Sequence, residues 1–243
     1  MRIYKDATSP WGMGVFFEDH EFESMMDETR LRAGSDVFTV GEGVDVDLVL
    51  LRVYGLNPDI ADLPQGIHGR TLFQPDGSLD LQVSRELADE AERSVIARRR
   101  LRSTLAHECA HVTLHRHLYA IHEGPTLFDE MSSRQVLVLC RGSEITSPTG
   151  DYPRTKEWWE YQANRGMGSL LLPTKLLRDH VEKVLASLGL ATMQEALGQC
   201  RGEEVVRNLA GVFDVSLGMM VYRLQERGWL EKNSGQLDLG FMS

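Results

Sequence analysis

The sequence has few cysteines, no excess of positive charge and no long apolar run. Its three cysteines, Cys109, Cys140 and Cys200, are odd in number and widely spaced, so they show neither a disulfide framework nor a zinc ribbon. A formal net charge of −10 argues against nonspecific binding to nucleic acid and against an anionic membrane surface. No segment approaches the roughly 18 apolar residues that span a bilayer, and no apolar run follows residues 1–6. We therefore expect a cytoplasmic protein without a signal peptide.

Residues 105–112 place a His-Glu-x-x-His sequence in an apolar, helix-favouring run. Residues four apart share a face of an α-helix, so His107 and His111 present two imidazoles to one metal ion. Glu108 is rotated by about 100° around the helix axis and lies beside that metal. Zinc hydrolases use such a set at neutral pH, because the metal lowers the pKa of a water and the carboxylate takes its proton. The alternative is a pair of half-buried helix histidines, since so short a motif also arises by chance.

A second helix is predicted from residue 157, with Glu160 and Asn164 on one face. One of these side chains completes a three-ligand set, and the other forms a hydrogen bond to a ligand imidazole. The preferred metal is Zn²⁺, although manganese or iron also suits two histidines and one carboxylate.

Other side chains of the motif helix are given less direct roles. Cys109 points away from the His107 face and is expected in the core. His115 lies about 12 Å along the axis from His107, too far to be a ligand, and is expected around the ligands or at the surface. The basic cluster at residues 98–102 follows several acidic residues and is expected to form a solvated, self-paired face.

These motifs resemble the ImmA/IrrE family of metallo-endopeptidases. The resemblance covers roughly residues 45–232 and rests on four stretches: 102–111, 160–164, 170–173 and 209–216 with Arg223-Leu224. It implies a minimal zincin with His107, His111 and Glu160 as metal ligands and Glu108 as general base. It also implies cleavage of a helix-turn-helix repressor and release of the repressed genes. The sequence departs from the family pattern at Gly166-Met167-Gly168, where a Phe-Ala-like packing pair is usual.

The predicted fold class is α+β and mainly helical, with a small sheet against the motif helix. Helices are expected at 18–31, from 94 or 98 to 117, from 157, at 174–187 and two or three times within 192–230. Strands are expected at 67–73 and 79–83, joined by a turn at 75–77, with an edge strand available to a peptide substrate. Residues 48–54 favour a short helix capped by Asp45 or Asp47, or else a buried strand. One strand, at 136–139, is expected within a long connection at 123–156.

Three segments are predicted. Residues 1–40 form an acidic N-terminal extension, residues 41–190 a zincin-like domain, and residues 191–243 a helical, helix-turn-helix-like segment with a loose tail from residue 233. The helix at 18–31 either docks on the core or acts as a lid or substrate-docking arm. The C-terminal segment carries balanced charge and is expected to pack or bind a partner rather than DNA.

The sequence and the resemblance therefore predict a zinc-dependent endopeptidase that acts on a protein substrate. A repressor is the first candidate for that substrate. The alternative is a non-proteolytic regulatory or metal-sensing module with the same fold. The oxyanion stabiliser is left open among Tyr161, His115 and the 123–156 connection, and the oligomeric state is not predicted.

Overall fold

The chain adopts a mainly helical α+β fold, as predicted. The computed structural model describes residues 1–38, 42–74, 76–122, 136–141 and 157–230. The predicted turn residue Pro75, most of the 123–156 connection and the tail from 233 lie outside these residues. The strands are β1 (Arg2–Lys5), β2 (Met13–Phe16), β3 (Asp59–Ala61), β4 (Ile67–Phe73), β5 (Leu79–Ser84) and β6 (Val136–Arg141). The helices are α1 (Asp19–Ala33), α2 (Val46–Val49), α3 (Arg85–Ala91), α4 (Val95–His122), α5 (Trp158–Leu171), α6 (Thr174–Ser187), α7 (Met193–Gly198), α8 (Gly202–Val212) and α9 (Leu217–Glu226).

A four-stranded sheet of order β3-β5-β4-β6 lies beside the long helix α4. The predicted hairpin is present as antiparallel β4 and β5, with Thr71 opposite Leu81. An edge strand was expected beside the motif helix, but neither strand of this hairpin lies at an edge of the sheet. Strand β3 pairs with β5 and β6 pairs with β4, so β3 and β6 are the outer strands among the described residues.

Helix α1 confirms the N-terminal helix prediction and docks through its apolar stripe. Phe22, Met26 and Thr29 are buried, and α1 contacts α5. Arg30 of α1 donates hydrogen bonds to the carbonyls of Ser169 and Leu170, at 2.6 and 2.8 Å. These carbonyls end α5, where the helix dipole and unpaired acceptors favour a cation. The first helix therefore supports the end of the helix that carries Glu160.

Two helix starts follow the sequence signals. Asp45 accepts a hydrogen bond from the backbone N–H of Leu48, and α2 continues into a π-helical turn at Leu50–Tyr54, so the buried-strand alternative is wrong. Ser94 accepts from the N–H of Ala97 at the start of α4. Side-chain caps of this kind satisfy N–H groups that the first helical turn leaves unpaired.

One hydrophobic cluster includes side chains from each of the three predicted segments, from Trp11 to Leu230. The segment boundaries themselves stay a prediction. Three helices, α7 to α9, occupy the range for which two or three were predicted. No single helix in the described ranges has the length and apolar character to cross a membrane; α8 and α9 reach them only together, as a pair bent by 106°.

The basic cluster at the start of α4 is not simply self-paired, which corrects the sequence interpretation. Arg99 and Arg102 bind the carboxylate of Asp214, at 2.9 and 2.8 Å, in the turn between α8 and α9. Arg102 also donates to the carbonyl of Val44 at 2.9 Å. These side chains connect the motif helix to the C-terminal helices.

Candidate metal centre

His107 and His111 of α4 meet Glu160 of α5 at the contact between these two helices. The Nε2 atom of His107 lies 3.0 Å from Glu160 Oε2 and 3.0 Å from His111 Nε2. The Nε2 atom of His111 lies 3.5 Å from the same carboxylate oxygen. Both imidazoles are fully buried, whereas the Glu160 side chain keeps 12% of its surface exposed. The three predicted ligands are thus brought together at a site with an opening at Glu160.

The separations suit a small tetrahedral cation. Ligand atoms about 2.0–2.2 Å from zinc, at tetrahedral angles, stand about 3.3–3.6 Å apart. The three observed separations of 3.0, 3.0 and 3.5 Å are within a few tenths of an ångström of that range. The group is able to hold a metal ion, and it is the only group of three or more such residues within the described part of the chain.

The two helices approach closely because Gly166 lies between them. A Cβ atom at Gly166 would stand 2.8 Å from Cβ of Ala110 and 3.1 Å from Leu114 Cδ1. A larger residue at this position would push α5, and Glu160 with it, away from α4. The glycine in the Gly166-Met167-Gly168 departure therefore has a packing role.

Each of the two predicted ligand imidazoles has a hydrogen-bond partner on its Nδ1 side. Asn164, one turn after Glu160, accepts from His107 Nδ1 at 3.1 Å, which is the role the sequence assigned to one of that pair. His111 Nδ1 lies 3.1 Å from Nδ1 of His115. Nδ1 partners of this kind orient a metal-ligating histidine and leave Nε2 for the metal.

Glu108 faces the sheet rather than α5. The hydroxyl of Thr71 on β4 donates to Glu108 Oε2 at 2.5 Å. Two residues earlier on the same strand face, Gly69 leaves room for this side chain, because a Cβ there would lie 3.0 Å from Glu108 Oε1. Glu108 is completely buried, and Thr71 and Gly69 of β4 lie against its carboxylate.

The pKa values of Glu160, His111 and His115 all lie below the ordinary values of these groups. Burial raises the pKa of Glu160, but the facing imidazoles of His111 and His107 outweigh burial and hold the pKa well below its ordinary value. Burial lowers the pKa of His111, and it lowers that of His115 to about 3. Cys109 is buried on the opposite face, as predicted, and burial raises the pKa of its thiol to about 12.

Sequence reasoning assigned His115 correctly to the surroundings of the ligands, but its alternative role as oxyanion stabiliser is wrong. Both ring nitrogens of His115 are engaged, one with His111 and one with Gln162 at 2.9 Å. Gly69, Thr71 and Gln162 were missed. The alternation of β4 places residues 69 and 71 on one face and was the available signal for the first two.

No protein-family model and no curated protein matches this chain.

Proposed function

We propose that this chain is a zinc-dependent endopeptidase of the ImmA/IrrE type. The observation that carries the proposal is a ligand group, His107, His111 and Glu160, on the helix pair that also presents Glu108. The sequence resemblance over residues 45–232 supports the same reading. A buried carboxylate held by a hydroxyl, one residue after a metal ligand, suits a general base better than a structural group.

The protein residues have separable tasks in this proposal. His107, His111 and Glu160 hold the metal, which polarises a carbonyl and lowers the pKa of water when bound. Glu108 accepts a proton from the water that attacks the scissile carbonyl and donates it to the leaving amine. Thr71 holds the Glu108 carboxylate in place, and Asn164 and His115 hold the imidazoles.

The proposed substrate is a protein, in first place a helix-turn-helix repressor in the cytoplasm, whose cleavage would release its target genes. This part rests on the resemblance alone. A narrow substrate range would also make a cytoplasmic protease tolerable to the cell.

The metal is tested by measuring metal content per chain by mass spectrometry. We expect about one zinc in the wild-type protein and none in Glu160→Ala. Glu157→Ala, a change at the start of the same helix but outside the ligand group, is the matched control and should keep its zinc. Zinc retained in Glu160→Ala would contradict the assigned ligand set.

Cleavage is tested with a proteome-derived peptide library and, separately, with purified helix-turn-helix proteins of the cells that encode the chain. New peptide termini should appear with the zinc-loaded wild type and disappear with Glu108→Gln at unchanged zinc content. Since glutamine still accepts the Thr71 hydrogen bond, the variant should stay folded. A zinc-loaded wild type that cuts nothing would favour the alternative, a metal-sensing or regulatory module.

A further inference from the structure

A chain of three hydrogen bonds runs from the metal centre to the N-terminal strand β2. His111 Nδ1 lies 3.1 Å from His115 Nδ1, and His115 Nε2 lies 2.9 Å from Gln162 Oε1. The Gln162 amide nitrogen donates to the backbone carbonyl of Val15 at 2.5 Å. Every side chain of this chain is buried.

The Val15 carbonyl oxygen determines which atom is the donor and which the acceptor in each of these hydrogen bonds. A backbone carbonyl only accepts, so the amide NH₂ of Gln162 must face Val15 and its oxygen must face His115. The amide oxygen also only accepts, so His115 carries its hydrogen on Nε2. In a neutral imidazole, Nδ1 of His115 is then an acceptor.

The same argument determines the tautomer of His111. Because His115 Nδ1 accepts, His111 must carry its hydrogen on Nδ1, and its Nε2 keeps a free lone pair. That lone pair points to the side where His107 Nε2 and Glu160 Oε2 lie. Only this tautomer of His111 is able to bind a metal ion there.

We infer that His115 is a positioning residue for the metal site: with Gln162 it holds His111 in the metal-binding tautomer. The inference rests on the proposed metal site. Residues 11–15 then help to support that site, because the carbonyl of Val15 determines which atom donates in each of the three hydrogen bonds. Trp11 packs on the His115 ring, with centroids 5.0 Å apart, and is itself buried.

The row of hydrogen bonds predicts different effects for two substitutions of His115. His115→Phe keeps a ring against Trp11 but removes the acceptor for His111, so zinc should bind about 10- to 100-fold more weakly. His115→Asn places an amide oxygen where Nδ1 accepted, so zinc affinity should stay close to that of the wild type. A merely structural role for His115 would instead lower the melting temperature of the metal-free protein without separating the two zinc affinities.

The measurement is the zinc dissociation constant by competition with a chromophoric chelator, with melting temperatures of the metal-free and zinc-loaded forms. Gln162→Leu is a second variant that also should weaken zinc binding, and Gln199→Leu, at an exposed glutamine, is its control. Equal zinc affinity in wild type, His115→Phe and Gln162→Leu would overturn the inference while leaving the metal site intact. A wild type that binds zinc no better than Glu160→Ala would overturn the metal site and the inference together.

Discussion

The hydroxyl of Thr71 donates to Oε2 of Glu108 across the contact between β4 and α4. Thr71 is fully buried, and its neighbour on the strand face, Gly69, contributes no side chain. A strand of the sheet thus supports the proposed base, while the ligands are arranged by a different contact, that between α4 and α5. Changes on β4 should therefore affect the base without removing the metal.

Thr71→Val tests that separation. Valine has a similar shape but no donor, and the loss of a hydrogen bond to a buried carboxylate should lower the free energy of unfolding by about 1.5–3 kcal/mol. Misplacement of the base should also lower the cleavage rate by about 10- to 100-fold, with zinc content unchanged. Thr71→Ser keeps the hydroxyl and is the control in urea unfolding and in the cleavage assay. Loss of zinc in Thr71→Val would show that the two contacts are not independent.

The histidine pair, and the helix face that Glu160 shares with Asn164, were predictable because their spacing is local. The choice of Glu160 as the third ligand followed from the family resemblance, and its contact with His107 joins residues 53 positions apart. His107 and His111, and likewise Glu160 and Asn164, lie one helical turn apart, so helix geometry alone places each pair on one face. The helix at 174–187 and the hairpin of β4 and β5 were predictable for the same reason, from residue periodicity and breakers.

Contacts between distant elements were not predictable in this way. The pairing of Arg99 and Arg102 with Asp214 joins residues more than 100 positions apart. The position of Thr71 against Glu108 likewise depends on how strands and helices pack. The same holds for the donor and acceptor roles that the Val15 carbonyl determines. The alternation of side chains along β4 predicts that residues 69 and 71 share a face, but it does not identify the helix residue that this face contacts.

Asn164 should contribute to zinc affinity through His107. Its amide oxygen accepts from His107 Nδ1 at 3.1 Å, and removing a ligand's partner commonly weakens metal binding about 10- to 100-fold. Asn164→Leu should show this loss in a chelator competition, whereas Asn164→Asp keeps an acceptor and should bind zinc more tightly than Asn164→Leu. Equal affinities for the two variants would mean that the Asn164 contact does not orient His107.

Gly166 and Gly168 form a matched pair for testing helix approach. At Gly166 a methyl group would lie 2.8 Å from Ala110, whereas at Gly168 the nearest atom would be 3.7 Å away, an ordinary contact. Gly166→Ala should lower the free energy of unfolding by about 1–3 kcal/mol through overpacking and weaken zinc binding by shifting Glu160. Gly168→Ala should raise the free energy of unfolding by about 0.5–1 kcal/mol, because alanine favours the helix. Urea unfolding of the metal-free proteins measures both, and effects of the same sign would contradict this account of the helix contact.

Glu23 of α1 is bound on several sides by the helices that surround it. Arg223 of α9, which is fully buried, donates to Glu23 at 2.6 Å. Ser169 of α5 and Thr174 of α6 donate at 2.8 and 2.9 Å, and Arg227 lies 3.6 Å away. Burial raises the pKa of Glu23, but Arg223 and the hydroxyl donors outweigh burial and hold the pKa below its ordinary value of 4.5.

A carboxyl group whose pKa is lower in the folded protein makes stability depend on pH. Glu23 contributes its stabilisation above its unfolded pKa, and that contribution is lost as the pH falls through the lower, folded value. Glu23→Gln should therefore lower the free energy of unfolding by about 1–3 kcal/mol at pH 7. The difference in this free energy between the variant and the wild type should become smaller as the pH falls below 4.5, the ordinary pKa of the group. Other acidic groups titrate in both proteins and cancel in the difference. Urea unfolding from pH 7 to pH 3 measures it, with the exposed Glu28→Gln as control, expected within about 0.5 kcal/mol of the wild type. A difference that stays constant over this range would mean that folding does not shift the pKa of Glu23, and that Arg223 does not favour the carboxylate over the neutral acid.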